Sequence, residues 1–134
     1  MAAASRGDAT AMNNVGWFYQ FGRGIRQDYA EAMKWYSKGA DTGSGEAMNN
    51  IGCLYNRGLG IPQDQAQALK WFRKGADAGV GAAMSSVGWL YDNGLGVPKD
   101  YAEAIRWYQK AAATGFEPAK KRLAELSANN SAGR

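Results

Sequence analysis

AMNNIGCLYNRGLGIPQDQAQALKWFRKGADAG, residues 47–79, is the stretch that decides the fold. Residues 11–43 read AMNNVGWFYQFGRGIRQDYAEAMKWYSKGADTG, and residues 83–115 read AMSSVGWLYDNGLGVPKDYAEAIRWYQKAAATG. Ala11, Ala47 and Ala83 open three copies at a fixed spacing of 36 residues. A period in this range is the signature of a solenoid, in which each supersecondary unit buries its apolar face only by stacking on the next.

Within each copy the punctuation gives two helices. Helix A is expected over residues 9–21, 45–57 and 81–93, ended by Gly22, Gly58 and Gly94, with a second glycine two residues on. A glycine there takes the positive φ that a sharp helix stop requires. Ile25, Ile61 and Val97 follow as plugs for the open end of the hairpin, and Pro62 and Pro98 keep the link extended. Helix B opens at Asp28, Asp64 and Asp100, with Glu31, Gln67 and Glu103 three residues later. This is the spacing of a capping box with Asp in the cap. Gly43, Gly79 and Gly115 close helix B.

The first seven residues match the end of a missing copy and are expected as a partial repeat, the mark of a chain excised from a longer array. Repeats then run 8–43, 44–79 and 80–115, followed by a capping helix over 116–126 (Pro118 in its first turn) and a disordered tail, 127–134. The capping helix carries Lys120, Lys121, Arg122 and Glu125, a polar exterior suited to an array end.

Unrolled at about 100° per residue, helix A gathers Ala11, Met12, Val15, Gly16, Phe18 and Tyr19 on one face. A mid-helix glycine costs about 1 kcal/mol, so Gly16, Gly52 and Gly88 imply close approach of another element. Helix B buries Ala32, Met33, Trp35, Tyr36 and Ala40, and Trp35, Trp71 and Trp107 recur as core. Lys34, Lys38 and their counterparts lie opposite that face and read as a solvated stripe.

The composition excludes much chemistry. The chain has 134 residues, no histidine, one cysteine and a net charge of +4. Without histidine there is no Ser-His-Asp or Cys-His pair and no imidazole ligand for a metal. Cys53 alone makes neither a disulfide nor a thiolate cluster. The Gly-x-Gly turns stand in structural register and are not phosphate loops. No metal, cofactor or catalytic residue is expected. Nor does any apolar run reach the roughly 18 residues of a membrane span. The N-terminal residues lack a signal-peptide pattern, so a soluble, cytoplasmic protein is expected, or a periplasmic or secreted one if an upstream signal was removed.

Binding remains, and the copies say where. Opposite the packed face of helix A lie Asn13, Asn14, Trp17 and Gln20, then Asn49, Asn50, Cys53 and Asn56, then Ser85, Ser86, Trp89 and Asp92. Trp17 and Trp89 offer two aromatic anchors flanking the smaller Cys53, among amides and hydroxyls able to bond a peptide backbone. The competing reading packs both indoles against the neighbouring helix A. The stripe holds no Lys or Arg, so capture of a C-terminal carboxylate is not expected.

The recurring pattern A-x-x-x-[VI]-G-x-[FL]-Y-x-x-G-x-G-[IV]-x-x-D-x-x-x-A-x-x-W-[YF]-x-[KR]-[GA]-A-x-x-G resembles the Sel1-like repeats, relatives of the tetratricopeptide class, over residues 7–115. The resemblance implies an all-α, right-handed solenoid of antiparallel helix pairs with helix A on the concave side. It also implies a non-catalytic adaptor, acting as a monomer that binds a protein or peptide. Three rivals stay open. One is a β-lactamase or penicillin-binding activity, known from relatives whose paired cysteines this chain lacks. Another is weak binding of RNA or an acidic partner through the basic helix-B and C-terminal residues. The third is an excised or designed array with no natural partner.

Overall fold

The computed structural model describes residues 8–132, with side chains described through residue 128. The partial repeat expected at residues 1–7 lies outside the described residues. Seven helices and no strand are found among them: α1 (Ala9–Phe21), α2 (Tyr29–Asp41), α3 (Gly45–Arg57), α4 (Gln65–Asp77), α5 (Gly81–Asn93), α6 (Tyr101–Ala113) and α7 (Glu117–Ala132). Consecutive helices pack in pairs, and each pair stacks on the next as an α-solenoid.

Local chemistry sets the element ends. Gly22, Gly58 and Gly94 stop the A helices at φ of 64°, 66° and 64°, in the left-handed region that glycine enters without strain. At the start of helix B, the Asp28, Asp64 and Asp100 carboxylates accept the N–H of Glu31, Gln67 and Glu103 at 3.1, 3.0 and 3.0 Å. The return half of the expected capping box does not form. Each Asp N–H donates instead to the carbonyl of Tyr19, Tyr55 or Tyr91 in the preceding helix, at 2.9, 2.9 and 3.0 Å. Glu31 and Glu103, left free, pair with Lys34 and Arg106.

Two seams hold the array. Within a pair, the ring of Tyr36, Phe72 or Tyr108 lies on Gly16, Gly52 or Gly88, where a Cβ would come within 2.6, 2.6 and 3.0 Å of ring carbon. The approach inferred for these glycines is therefore made by an aromatic ring of helix B. Between pairs, Gly39 meets Ala47 and Gly75 meets Ala83, at 3.2 and 2.9 Å from a Cβ built on the glycine. Ala111 and Ala119 occupy the third such position and are fully buried.

Beyond the capping box, the structure departs from the sequence reading of this fold at four further places. Phe18 is 42% exposed, although its counterparts Leu54 and Leu90 are fully buried under the preceding repeat. Among the described residues, no helix precedes α1 to cover it. Trp107 is buried as expected, but Trp35 and Trp71 are only half-buried at the core's margin. Helix α7 runs on past Ser127 to Ala132, because neither proline nor glycine interrupts residues 127–132; Gly133 and Arg134 lie outside the described residues.

The fourth departure concerns Gln20 and Asp92, expected on the free stripe and found buried. The Tyr36 hydroxyl donates to Gln20 Oε1 at 2.5 Å, and the Tyr108 hydroxyl to Asp92 Oδ2 at 3.1 Å. Arg122 of α7 clamps the same carboxylate through Nε and Nη2 at 2.8 and 3.1 Å. Partnering a buried polar group avoids a desolvation cost of about 1–3 kcal/mol, which is why these side chains turn inward. In the middle pair Phe72 replaces tyrosine, and Asn56 Oδ1 is buried with no partner.

Two stability outcomes follow from these contacts. Gly52→Leu forces Phe72 out of its seat and is expected to cost about 3 kcal/mol, lowering Tm by on the order of 10 °C. An unchanged melting curve would refute the ring-on-glycine seam. Phe72→Tyr supplies the hydroxyl its neighbours carry and is expected to add about 1 kcal/mol, read as a higher midpoint in chemical denaturation. A lower midpoint would show that the hydroxyl does not reach Asn56.

Candidate functional site

The A helices α1, α3 and α5 carry the predicted stripe residues in register, and the structure puts those residues to different uses. Gln20 and Asp92 belong to the core, as described above. Asn13 and Asn50 satisfy each other, Asn50 Nδ2 donating to Asn13 Oδ1 across the first two repeats at 2.8 Å. Ser86 Oγ turns onto its own helix and donates to the Ala82 carbonyl at 2.9 Å. Asn14 is exposed and Ser85 half-buried. Asn49 Oδ1 is buried without a partner, like Asn56 Oδ1.

The two indoles are exposed, Trp17 at 39% and Trp89 at 42%. They do not share one site. Trp17 joins an aromatic cluster at the first repeat, its ring centroid 5.7 Å from Phe18 and 5.2 Å from Phe21, with the Arg23 guanidinium 5.8 Å away. Exposure of all three rings makes this an apolar patch.

Trp89 instead stands over a cavity of about 520 Å³ between the second and third repeats. Three other predicted stripe residues, Cys53, Asn56 and Ser86, line it. So do Arg57, Gln63, Gln65 and Phe72, which the helical wheel did not select because they come from a helix end, the A–B link and helix B. The link is fixed by Gln63 Nε2, which donates to the Asn56 carbonyl at 2.7 Å, as Gln27 does to the Gln20 carbonyl at 2.8 Å. Recurrence of that glutamine one residue before the capping Asp was the available sequence signal. Burial pushes the Cys53 thiol up from its ordinary value, against an opposing pull from Arg57, so at neutral pH the sulfur is a neutral wall. Arg57 brings a cation beside the stripe, although the stripe's own residues include none.

The basic surfaces are partly committed elsewhere. Lys38, Lys74 and Lys110 place their ammonium groups 4.4, 4.3 and 4.5 Å from the ring centroids of Trp35, Trp71 and Trp107. Arg122 is held by Asp92, which leaves Lys120 and Lys121 as the exposed cations of that run, Lys120 paired with Glu117 at 3.1 Å. No group of three or more potential metal-ligating residues occurs among the described residues, and none of their helices is long and apolar enough to cross a membrane.

Comparison with known proteins fits this geometry. The Sel1 repeat model matches residues 9–44, 45–80 and 81–116. A Sel1 repeat protein of Oxalobacter formigenes superposes with a TM-score of 0.82 at 40% identity, over 87% of this chain and 48% of that one. A protective antigen of uropathogenic Escherichia coli with the same repeat fold gives 0.87 at 38% identity, over 96% of this chain and 27% of that one. The plant ERAD-associated E3 ubiquitin-protein ligase component HRD3B of Arabidopsis thaliana is 50% identical over 36 residues, 26% of this chain and 6% of the relative. The chain thus spans about half or less of the length of these relatives. Three contiguous repeats, each a helix pair with its glycine stop and aspartate cap, place this chain in the Sel1 repeat family.

Proposed function

We propose that the protein is a non-catalytic scaffold that docks an extended segment of a protein partner along the exposed stripe of α1, α3 and α5. Sel1 repeats are generally protein–protein interaction modules, and HRD3B is by its name a component of a larger ligase assembly. The observation that carries the reading is the exposure of Trp89 where it lines the cavity, while Val87, Gly88 and Leu90 beside it are buried. Folding has used that helix fully on its other face and left the indole unspent. Large exposed aromatics beside a concave pocket are the usual anchors of an interface. Asn14 and Ser85 lie along the same stripe to meet a peptide backbone.

Charge supports a peptide over a nucleic acid. A phosphate backbone needs a row of free cations. The stripe's exposed groups are neutral amides, hydroxyls and indoles, and Lys38, Lys74 and Lys110 of helix B lie over indoles elsewhere. The chain carries no histidine, and no group of three or more potential metal-ligating residues occurs among the described residues.

The test is a peptide-display selection against the array, followed by titration of selected peptides onto the wild type and onto Trp17→Ala/Trp89→Ala. Each indole is expected to act as a hot spot worth about 2 kcal/mol, so losing one should weaken binding about thirtyfold and the double variant about a thousandfold, with its helical circular dichroism intact. Equal affinity for the folded double variant refutes docking on this stripe.

A further inference from the structure

Each internal junction of the array seats a B helix on the A helix that follows it, and three positions record the seat. Ala47 and Ala83 are fully buried where they meet Gly39 and Gly75 near the end of helix B. Leu54 and Leu90 are fully buried in clusters with residues of α2 and α4. A Cβ on Gly60 would lie 2.5 Å from Tyr29 Cβ, and one on Gly96 2.8 Å from the Gln65 carbonyl carbon. The first turn of helix B therefore covers the link that follows helix A. On α1 the same three positions stand uncovered among the described residues. Ala11 is only half-buried, Phe18 is 42% exposed, and a Cβ on Gly24 would meet no atom within 4 Å. With Trp17 and Phe21 beside Phe18, this open face is apolar. It is the reverse of the polar exterior that closes an array, which α7 shows at the other end with exposed Lys120, Lys121 and Glu125.

The first copy also differs in charge where a covering helix would begin. Leu59 and Leu95 pack into the two internal junctions. Their counterpart is Arg23, next to Gly24, exposed and in no ion pair among the described residues. Arg26 stands where the later copies have Pro62 and Pro98, and residues 9–27 contain no acid. Two copies of this chain joined through the face would bring guanidinium groups together without counter-charge. A helix with an acidic first turn would instead set a carboxylate beside Arg23, and the first turn is where an acid suits the helix dipole.

We infer that the open face of α1 is a seat for an amphipathic helix of a protein partner, laid antiparallel to α1 as α2 lies on α3 and α4 on α5. Its first turn, bearing Asp or Glu, lies over Gly24 beside Arg23, and its apolar side covers Phe18. Ten residues after the one over Gly24, a glycine or alanine comes down on Ala11, as Gly39 follows Tyr29 and Gly75 follows Gln65. The partner thus takes the place of a neighbouring B helix, a helix recognised in a groove by its anchors and its one small residue. Trp17 borders both this face and the stripe, whereas Phe18 and Arg23 belong to this face alone.

The probe is a peptide with the sequence of residues 28–42, the chain's own α2 and its caps, carrying a hydrocarbon staple in place of the exposed Lys34 and Lys38. The staple pre-forms the helix and removes most of its ordering cost. It is titrated into the full ¹⁵N-labelled chain beside a second stapled peptide in which Asp28 and Glu31 are replaced by lysine. The readout is saturable movement of the Phe18 and Gly24 backbone amides. The acidic peptide is expected to bind about fivefold more tightly than the lysine peptide at low salt, with the preference reversed in Arg23→Glu. Phe18→Ser, a change at an exposed side chain, is expected to weaken the acidic peptide at least about tenfold. Still resonances, equal affinity for the two peptides, or unchanged binding to Phe18→Ser overturns the inference. So does a dimeric mass in sedimentation that becomes monomeric in Phe18→Ser, which would give the face to a second copy. None of these readouts uses Trp89, so their failure leaves docking on the stripe to its own test.

Discussion

Everything in this molecule depends on how closely its helices approach. The aromatic ring of each B helix lies directly on a glycine of its A helix, so a single Cβ at Gly16 or Gly52 would sit 2.6 Å from ring carbon. The junction between repeats is built the same way, glycine or alanine against alanine. Interiors packed to crystal-like density resist even a methylene in the wrong place. Spacing of this kind brings backbones near enough for the Asp28, Asp64 and Asp100 N–H groups to reach carbonyls of the preceding helix. Hairpin geometry and helix start are thereby locked by one set of atoms.

Close packing also dictates where polarity is allowed. The aromatic ring over each glycine carries its para position to the far end of helix A, where residue 20, 56 or 92 waits. In the outer pairs a tyrosine hydroxyl meets a side-chain oxygen, and at the last repeat Arg122 adds a charge-assisted clamp that ties α7 to the array. Burial and the neighbouring Asp92 carboxylate push the Tyr108 phenol well above the ordinary tyrosine range, so it remains a donor at any physiological pH. The middle pair breaks the rule at Phe72 and leaves Asn56 unsatisfied. A buried oxygen without a partner is a local cost that a fold tolerates rarely.

The helices were legible because their signals are local and repeat three times. Helix A was expected over 9–21, 45–57 and 81–93, and these bounds are those of α1, α3 and α5. Glycine stops and aspartate caps act within one turn, so one sequence suffices to read them. The stripe was legible only in direction. A helical wheel places the Cβ of Gln20 and Asp92 toward solvent, yet it says nothing of how far a long side chain can curl toward a tyrosine sixteen residues away. Phe18 was misplaced because a helical wheel does not show whether another helix packs over a face, and none among the described residues covers this one. Arg57, Gln63 and Gln65 were missed because the cavity draws on a helix end and a link as well as on a helix face.

The comparison among repeats goes further than the helical wheel once partners are known. Positions 36 and 108 are tyrosine where 72 is phenylalanine, and positions 50 and 122 carry long donors where 86 is serine. Each difference alone is a modest substitution on a periodic background. The first leaves Asn56 Oδ1 without the hydroxyl that its counterparts Gln20 and Asp92 meet, and the second leaves Asn49, the counterpart of Asn13, without the amide that Asn13 receives. A repeat protein stabilises itself by sameness, through nearest-neighbour interfaces that are nearly interchangeable. Recognition needs a place where the sameness stops, since an array with every polar group satisfied from within has nothing to trade with a partner. In this chain the sameness stops beside Trp89, at the junction of the second and third repeats.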